Sequence, residues 1–582
     1  MVDINNIDTQ IENVDQLPVI YGLVQKMNVQ ATIDRVMQPH GNWQGLSVGW
    51  VITIWLMHIL SQHTHRMDCV QAWVSQHLVV LRKLTGQPVT ELDFTDDRLA
   101  LCLRYLCPSD DWSRLESGLT KGVIQMYDLK KRLPVRWLMR LDATVGRVGH
   151  DAANHTLFQV GKAKNGLYAT LFKMMVASLD PLGIPVAVDV VPGNRADDPL
   201  YVPVYQRIKE TLPEQGLLVV GDSKMSALDT RAVVVECGDR YLTPLAHLKD
   251  EPELLPNLLA DWSDREEEMS LIFLEEDLPA TGEIPDESLA IGRGFEVERE
   301  HTSVIDGAEI TWTERLLVVR SFSYMESMIA SLHRRLDKAE KALRALTPVR
   351  SRGKRQIKDE ASLLSSIERI EKQYRVQGLF TYQYQQEVTE RRVRGYKGKP
   401  ARTEGKVRFQ LTVSRQQEAI AAAEFQMGWR IYATNAPPEE LSLTQAVWAY
   451  RGQYLAENIF RRLQGKLLSI TPVYVQRDDH AQGLFHLLTI AARLLALGDY
   501  MAKEALAQED DLLTGIYAGN PKRGTATPTT ERMLQAFDNI HLLIMRLGSQ
   551  VRYQLTPLSA VQERILALLD LPPTLYTDLQ LA

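Results

Sequence analysis

A chain of 582 residues is too long for a single hydrophobic core, and we expect about three to five domains or sub-domains. The net charge of -7 is modest for this length, so an anionic partner would have to be met by local basic patches. Four cysteines without CxxC spacing argue for a reducing compartment and against a disulfide framework. With no signal-peptide or membrane-span pattern, we expect a cytoplasmic protein without membrane contact.

Residues 1–135 are predicted to form an all-helical amino-terminal domain, because apolar residues recur at helical spacing. The apolar run Leu46–Leu60 is shorter than a membrane span and is predicted to be a buried helix. Two interpretations of this domain remain open, namely a DNA-reading surface and a plain helical bundle or oligomerisation module. No basic recognition helix stands out to decide between them. A metal site is disfavoured for want of a fourth ligand near His63, His65 and Cys69.

Residues 136–246 are predicted to hold the first part of an α/β core. The run Trp137–Gly146 is typical of a central strand and carries Asp142, while a second buried strand ends at Asp222. An antiparallel hairpin and a helix are predicted between them. An ionised carboxylate in a core strand is costly unless it is paired or binds a metal, and sites in open α/β sheets lie at strand ends. Both aspartates are therefore predicted to share one cleft.

Residues 247–426 interrupt this pattern and are interpreted as an insertion with strands, a long charged helix and basic patches. Two predicted strand arms, Tyr382–Val388 and Lys406–Val413, flank a basic loop. A run of basic residues is often only a solvent-exposed face. Here the basic residues cluster within a chain that is acidic overall, which favours contact with a phosphate backbone. The residues of this loop assigned to DNA binding are Arg391, Arg392, Arg394, Lys397 and Lys399.

Residues 427–497 are predicted to return to the core, and residues 498–582 to form a helical carboxy-terminal region. The stretch Val447–Lys466 is predicted to be one amphipathic helix with Glu457 in its middle, after a cap at Ser442. A lone carboxylate on a helix is usually solvated, but cations on the neighbouring turns suit a polyanion held beside a metal ligand. The residues assigned to DNA binding here are Tyr450, Arg451, Gln453, Arg461 and Lys466.

Three carboxylates from two strands and a late helix form the candidate catalytic and metal-binding set, namely Asp142, Asp222 and Glu457. They suit two Mg2+ ions, for which Mn2+ could substitute, held by acids and phosphate oxygens. One ion would activate a water or a 3′-hydroxyl, and the other would stabilise the leaving oxygen in an in-line displacement at phosphorus. This chemistry needs no nucleophilic side chain.

These motifs resemble the DDE-type transposases of bacterial insertion sequences, in the group named after insertion sequence four. The resemblance runs from about Trp137 to Leu497. Its first two acids match in Leu141-Asp-Ala-Thr and Val219-Val-Gly-Asp. The family's third motif reads tyrosine, arginine, glutamate and lysine; Tyr450 and Glu457 match it in register. The arginine and lysine positions of that motif hold other residues here, Gln453 and Gln464.

The resemblance implies an RNase H-like mixed sheet with flanking helices, interrupted by a β-rich and helical insertion. It implies a transposase that cuts double-stranded DNA at the terminal inverted repeats of its element and joins the 3′-hydroxyls to target DNA. Because two ends must be held together, a homodimer on DNA is expected. The alternatives are an RNase H-like DNA nuclease without strand transfer and a catalytically inactive DNA-binding relative.

Overall fold

The computed structural model describes residues 7–126, 138–163, 165–245, 251–262, 265–279, 285–348, 357–393, 402–547 and 550–581. The chain forms two compact units. The first unit comprises Met1–Thr243, His301–Trp312 and Ala449–Ala582, and the second comprises Pro244–Glu300 and Thr313–Trp448. The second unit therefore begins close to the predicted start of the insertion at residue 247 and extends past its predicted end at residue 426.

The amino-terminal part of the first unit is mainly helical. Its elements are β1 (Ile7–Asn13), α1 (Leu17–Lys26), α2 (Val29–Val36), α3 (Val48–Gln62), α4 (Val70–Gln76), α5 (Leu78–Thr85), α6 (Asp96–Leu106) and α7 (Ser109–Met126). Helix α3 begins at Ser47, whose Oγ accepts a hydrogen bond from the amide of Trp50. Almost every residue of α3 is buried, which confirms the predicted core helix.

A mixed sheet forms the centre of the first unit. Its elements are β2 (Leu138–Arg147), β3 (Gln159–Lys162), β4 (Tyr168–Leu179), β5 (Ile184–Pro192), α8 (Tyr201–Thr211), β6 (Leu218–Gly221), α9 (Leu228–Glu236) and β7 (Arg240–Pro244). Strand β2 pairs antiparallel with β4 and parallel with β6, and β6 pairs parallel with β7. The other edge of β4 is covered first by β3 and then by β5. The predicted mixed α/β class and the predicted β4–β5 hairpin are confirmed.

The second unit combines a sheet with a separate helical and β-hairpin layer. Its elements are α10 (Leu254–Ala260), β8 (Ser270–Ile272), β9 (Gly292–Ile305), β10 (Ala308–Ser321), α11 (Phe322–Arg344), α12 (Glu360–Tyr374), β11 (Phe380–Val393), β12 (Arg402–Arg415), α13 (Gln417–Phe425), β13 (Trp429–Thr434) and α14 (Leu443–Arg451). Strands β8, β9, β10 and β13 are neighbours in that order. Leu336, Leu363, Ile367 and Phe409 belong to a core shared by α11, α12 and the two-stranded β11–β12 hairpin.

The carboxy-terminal part belongs to the first unit and begins with α15 (Tyr454–Gln464). The remaining elements are α16 (Asp478–Glu509), α17 (Thr530–Gln535), β14 (His541–Leu547), β15 (Gln550–Leu555), α18 (Ala560–Leu568) and α19 (Thr574–Thr577). Helix α16 is long and apolar enough to cross a membrane, but 94% of its most apolar stretch is buried within the protein. It therefore packs as a core helix.

Both ends of the chain contain strands where only helices were predicted. Strand β1 pairs antiparallel with β14, and β14 pairs with β15, in a three-stranded sheet. The expectations of an all-helical amino-terminal domain and a helical carboxy-terminal region were wrong at these positions. A short apolar run such as residues 541–547 fits a strand or a buried helix segment equally well. Its pairing partner β1 lies at the opposite end of the sequence.

Candidate active site

The two aspartates predicted on strands lie next to each other in the sheet. The parallel register of β2 and β6 pairs Leu141 with Gly221, so the following residues, Asp142 and Asp222, occupy neighbouring positions. Asp222 directly follows the last residue of β6. Because the carboxyl ends of parallel strands open at one edge of a sheet, the two carboxylates lie where an α/β sheet offers a binding site.

Four hydrogen bonds fix Asp222, one of them from the amide of Met225 to its backbone carbonyl at 3.0 Å. The phenol of Tyr201, at the start of α8, donates to Oδ1 at 2.6 Å, and the backbone amide of Lys224 donates to the same oxygen at 2.9 Å. The hydroxyl of Thr243 donates to the backbone carbonyl of Asp222 at 2.8 Å. Both contacts to the carboxylate fall on Oδ1, so the Asp222 side chain is held from one side.

Tyr201 is almost fully buried, with 1% of its surface exposed. Burial, followed by the negative charges of Asp222 and Asp142, raises the pKa of the Tyr201 phenol well above its ordinary value. The phenol therefore stays protonated and remains a donor to Asp222.

The predicted single helix around Glu457 is instead two helices. Helix α14 ends at Arg451 and α15 begins at Tyr454, with Gly452 in the break. The amides of residues 453, 455 and 456 each bond to the carbonyl three residues earlier, which makes the junction a tight turn. A Cβ at position 452 would collide with the guanidinium of Arg140. The spacing of apolar residues continues across the break, so the sequence pattern predicted one continuous helix. The predicted cap is present, because the Ser442 hydroxyl accepts from the amide of Gln445 at the start of α14.

Two anchors hold this helix pair along β2, one at the last turn of α14 and one at the end of α15. Nη1 of Arg140 donates to the carbonyl of Ala449 at 2.5 Å, and Nε2 of Gln464 donates to Oγ1 of Thr144 at 2.8 Å. Side chains two residues apart on a strand share a face, so Arg140, Asp142 and Thr144 all lie on the face of β2 that meets α15. Asp142 is thus placed between the two anchors.

Glu457 lies on α15, between the two anchored residues Ala449 and Gln464 in the sequence. Its side chain is exposed, whereas Asp142 and Asp222 are half-buried. Among the described residues, no three His, Cys, Asp or Glu side chains come close enough to form a metal site. The structure therefore brings Asp142 and Asp222 together and places Glu457 on the adjacent helix, without closing the three acids into one cluster.

A buried ion pair supports the first anchor. Arg140 donates to Oδ2 of Asp180 through Nε at 2.9 Å and Nη2 at 2.6 Å, and both side chains are largely shielded from water. Burial raises the pKa of Asp180, and the charge of Arg140 opposes this shift. The pair joins the β4–β5 turn to the last turn of α14 through one guanidinium.

The cations around Glu457 divide into two groups. Arg451, Arg461 and Lys466 are exposed and remain available to an anion. Arg462 is buried and forms ion pairs of 2.6 Å with Asp499 and with Glu531, so it is structural.

Gln453 and Tyr450 are both half-buried at the junction of the two helices. Both amide atoms of Gln453 are buried, and no residue in the described ranges hydrogen-bonds to them. A buried amide without partners costs about 1–3 kcal/mol, so this side chain is a candidate for ligand contact.

The basic loop predicted for the insertion is only partly described. Arg392 is exposed on β11, and the backbone of Arg391 lies in the same strand. The predicted strand arms are confirmed, and both are longer than expected. The remaining loop residues, Arg394, Lys397 and Lys399, lie outside the described residues.

Sequence reasoning missed the supporting residues of the site, namely Tyr201, Arg140, Asp180 and Gln464. A tyrosine in the first turn of a helix is as often a plain core residue, so no local pattern marks Tyr201. The alternation along β2 does place Arg140 on the face of Asp142, and a buried arginine needs a carboxylate partner. That was the one signal from which part of this network could have been found.

Comparisons with known proteins give a limited result. Residues 9–112 match a family described as a domain of unknown function, DUF4277. No curated protein matches the chain. Among solved structures, the chain is similar to a piggyBac transposase in a synaptic complex with hairpin DNA, with 12% sequence identity and a TM-score of 0.23. The match covers 53% of this chain and 58% of that chain, and at this TM-score it carries no argument.

Proposed function

We propose that the protein is a metal-dependent DNA transposase with an RNase H-like core, which cuts at the ends of its element and transfers the 3′-hydroxyls to target DNA. One observation carries the proposal. Asp142 and Asp222 occupy neighbouring positions where β6 ends beside the middle of β2, and β2 is contacted by the helix of Glu457. The order of the three acids along the chain also agrees with the family resemblance.

The two aspartates fit divalent metal ions. Mg2+ is usually bound through one or two carboxylates together with water and substrate phosphates, and Asp142 and Asp222 supply such a pair. Glu457 would be the third ligand, joining the aspartates once DNA is bound. Bound ions of this kind would activate the attacking oxygen and stabilise the leaving oxygen.

Other residues of the chain prepare this pair of acids. Tyr201 orients Asp222 through Oδ1, which leaves the other carboxylate oxygen to face a cation. Arg140 holds the last turn of α14 and Gln464 holds the end of α15 against β2, and Glu457 lies between these two contacts in the sequence.

DNA would be bound by the exposed cations. Arg451, Arg461 and Lys466 flank Glu457, and their charges would contact phosphates next to the scissile bond. Gln453 and Tyr450 would complete this contact at the helix junction. In the second unit, Arg391, Arg392, Arg394, Lys397 and Lys399 would track the duplex backbone. Two ends held together require two copies of the chain, so we propose a homodimer on DNA.

One observation favours a catalytically inactive DNA-binding relative as the second candidate. Glu457 does not join the two aspartates in a cluster, whereas a finished metal site holds its ligands together. DNA binding without cleavage in either Mg2+ or Mn2+ would support this candidate.

Cleavage of duplex DNA from the borders of the gene tests the proposal. We expect the wild type to cut and join this DNA in Mg2+, and Asp142→Asn, Asp222→Asn and Glu457→Gln to bind it without cutting. Glu563→Gln, which neutralises an exposed acid on α18, is the matched control and should cut normally. Cleavage by the active-site variants at the wild-type rate would refute the assignment. Cleavage by the wild type without joined products would indicate a nuclease.

A further inference from the structure

The first unit carries an exposed apolar tip that its core does not use. The β3–β4 hairpin consists of β3, the turn after it and the first residues of β4. Three of its apolar side chains are strongly exposed, with 53% of Val160, 66% of Leu167 and 76% of Tyr168 accessible. Large apolar side chains grouped in this way usually mark a contact surface.

The hairpin extends beyond the two acids, from the same edge of the sheet at which they lie. Strand β4 runs antiparallel to β2 with Asp142 opposite Val176, and β2 ends at Arg147 opposite Leu171. Beyond that position β4 continues towards Tyr168 with β3 beside it. Eight residues separate the level of Asp142 from Tyr168, which is roughly 25 Å along a strand. This distance is less than one turn of duplex DNA.

Close backbone packing makes the base of the hairpin rigid. A Cβ at Gly161 would collide with the carbonyl of Gly193, and a Cβ at Gly193 would collide with the carbonyl of Leu171. The amide of Gly193 also donates to the carbonyl of Leu157 at 3.3 Å. The tip is therefore carried on a fixed support.

The charge of this segment suits a polyanion. No Asp or Glu occurs from residue 152 to residue 179, although the whole chain has a net charge of -7. Lys162 on the hairpin and Arg147 at the end of β2 are both exposed. Asp478 contacts residues 155–157 at the base of the hairpin, whereas the described residues of the tip include a cation and no acid. This charge favours DNA over an acidic or purely apolar protein partner.

We infer that the β3–β4 hairpin inserts its tip into a groove of the duplex roughly 25 Å from the scissile phosphate. Tyr168 and Leu167 would contact base edges or wedge between base steps, and Lys162 and Arg147 would contact the flanking phosphates. This inference rests on the proposed function, because it needs a duplex whose cleaved bond lies at Asp142 and Asp222. It adds a DNA contact that the acids and the Glu457 helix do not supply.

Binding of a fluorescein-labelled duplex from the borders of the gene tests the inference in the full-length chain. The variant is the double substitution Leu167→Ser with Tyr168→Ser. Leu512→Ser, at another exposed apolar residue of the first unit, is the control. All three substituted side chains are exposed and each is replaced by a small polar one, so folding should be preserved. We expect roughly tenfold weaker binding for the double variant and wild-type binding for the control. A 2-aminopurine base roughly seven base pairs from the cleavage site, at the expected position of the tip, should brighten with the wild type and not with the double variant.

The outcomes separate the hairpin from the proposed function. If the wild type and the double variant bind the duplex equally and give the same 2-aminopurine signal, the hairpin inference is wrong while DNA binding stands. If the wild type binds no duplex, both the hairpin's ligand and the proposed function fail. If the double variant binds DNA normally but sediments as a smaller species, the tip is a contact between copies of the chain, which also overturns the inference.

Discussion

The phenolic oxygen of Tyr201 lies 2.6 Å from Oδ1 of Asp222, and the same helix carries a second tyrosine with the same contact to another aspartate. The phenol of Tyr205 donates to Oδ2 of the buried Asp239 at 2.6 Å. One chain thus offers two buried tyrosine–aspartate pairs, of which only the first includes a candidate metal ligand.

Tyr201→Phe is therefore expected to weaken metal binding. Loss of the donated hydrogen bond frees the Asp222 carboxylate to rotate away from the metal. We expect about tenfold weaker Mn2+ binding, measured by electron paramagnetic resonance of the free ion. Tyr205→Phe is the control, because it should lower stability without changing Mn2+ affinity. Equal Mn2+ affinities for the two variants would mean that Tyr201 only supports the fold.

The neighbouring arginines on α15 are expected to behave in opposite ways. Arg461→Ala removes an exposed charge, so DNA binding should weaken and its salt dependence should fall by about one unit of slope. Arg462→Ala leaves Asp499 and Glu531 without their buried partner, and the free energy of unfolding should drop by about 3–5 kcal/mol. Urea denaturation and salt titrations of duplex binding measure the two effects. A large loss of stability in Arg461→Ala would contradict the assignment of Arg461 to DNA binding and of Arg462 to the fold.

Asp180→Asn is expected to disturb the anchor of the Glu457 helix. Arg140 would keep its buried charge without a carboxylate, which typically costs about 3 kcal/mol or more. We expect a lower urea midpoint, with slower DNA cleavage because Arg140 also holds the carbonyl of Ala449. Unchanged stability would show that water replaces Asp180 at this position.

Folding stability is expected to depend on pH through Glu116. Burial raises its pKa from 4.5 to about 7, an effect opposed by the charges of Arg493 and Arg207. Between these two values the folded chain holds a proton that the unfolded chain releases, so this contribution to stability is present below pH 4.5 and is lost as the pH rises through 7. Glu116→Gln should flatten the curve of stability against pH in that window. A curve with the wild-type slope would assign the dependence to another group.

The sequence predicted the structure best where a short apolar run is followed directly by an acid. Buried runs ending in Asp142 and Asp222 predicted two strands and their shared edge, because an acid after an apolar run has few structural explanations. The break at Gly452 could not be foreseen, since it depends on Arg140 approaching from a strand more than 300 residues earlier. Strand β1 was missed for the same reason, as its partner β14 is formed by the other end of the chain.

The support of Asp222 by Tyr201 was also invisible in the sequence. It requires the hairpin, the following turn and α8 to fold back onto the end of β6, and no spacing between residues 201 and 222 encodes that return. The acids of the site were thus predictable from local pattern, whereas the residues that orient them depend on the assembled sheet.

A change of metal specificity tests the central claim most directly. A thiolate is a poor ligand for Mg2+ but binds first-row transition metals more readily, so Asp222→Cys should cut the border duplex in Mn2+ and not in Mg2+. Asp222→Ser, which lacks the thiolate, should cut in neither. Recovery of cleavage by Asp222→Cys in Mn2+ would establish Asp222 as a metal ligand. Cleavage in Mg2+ by both variants at the wild-type rate would contradict the account.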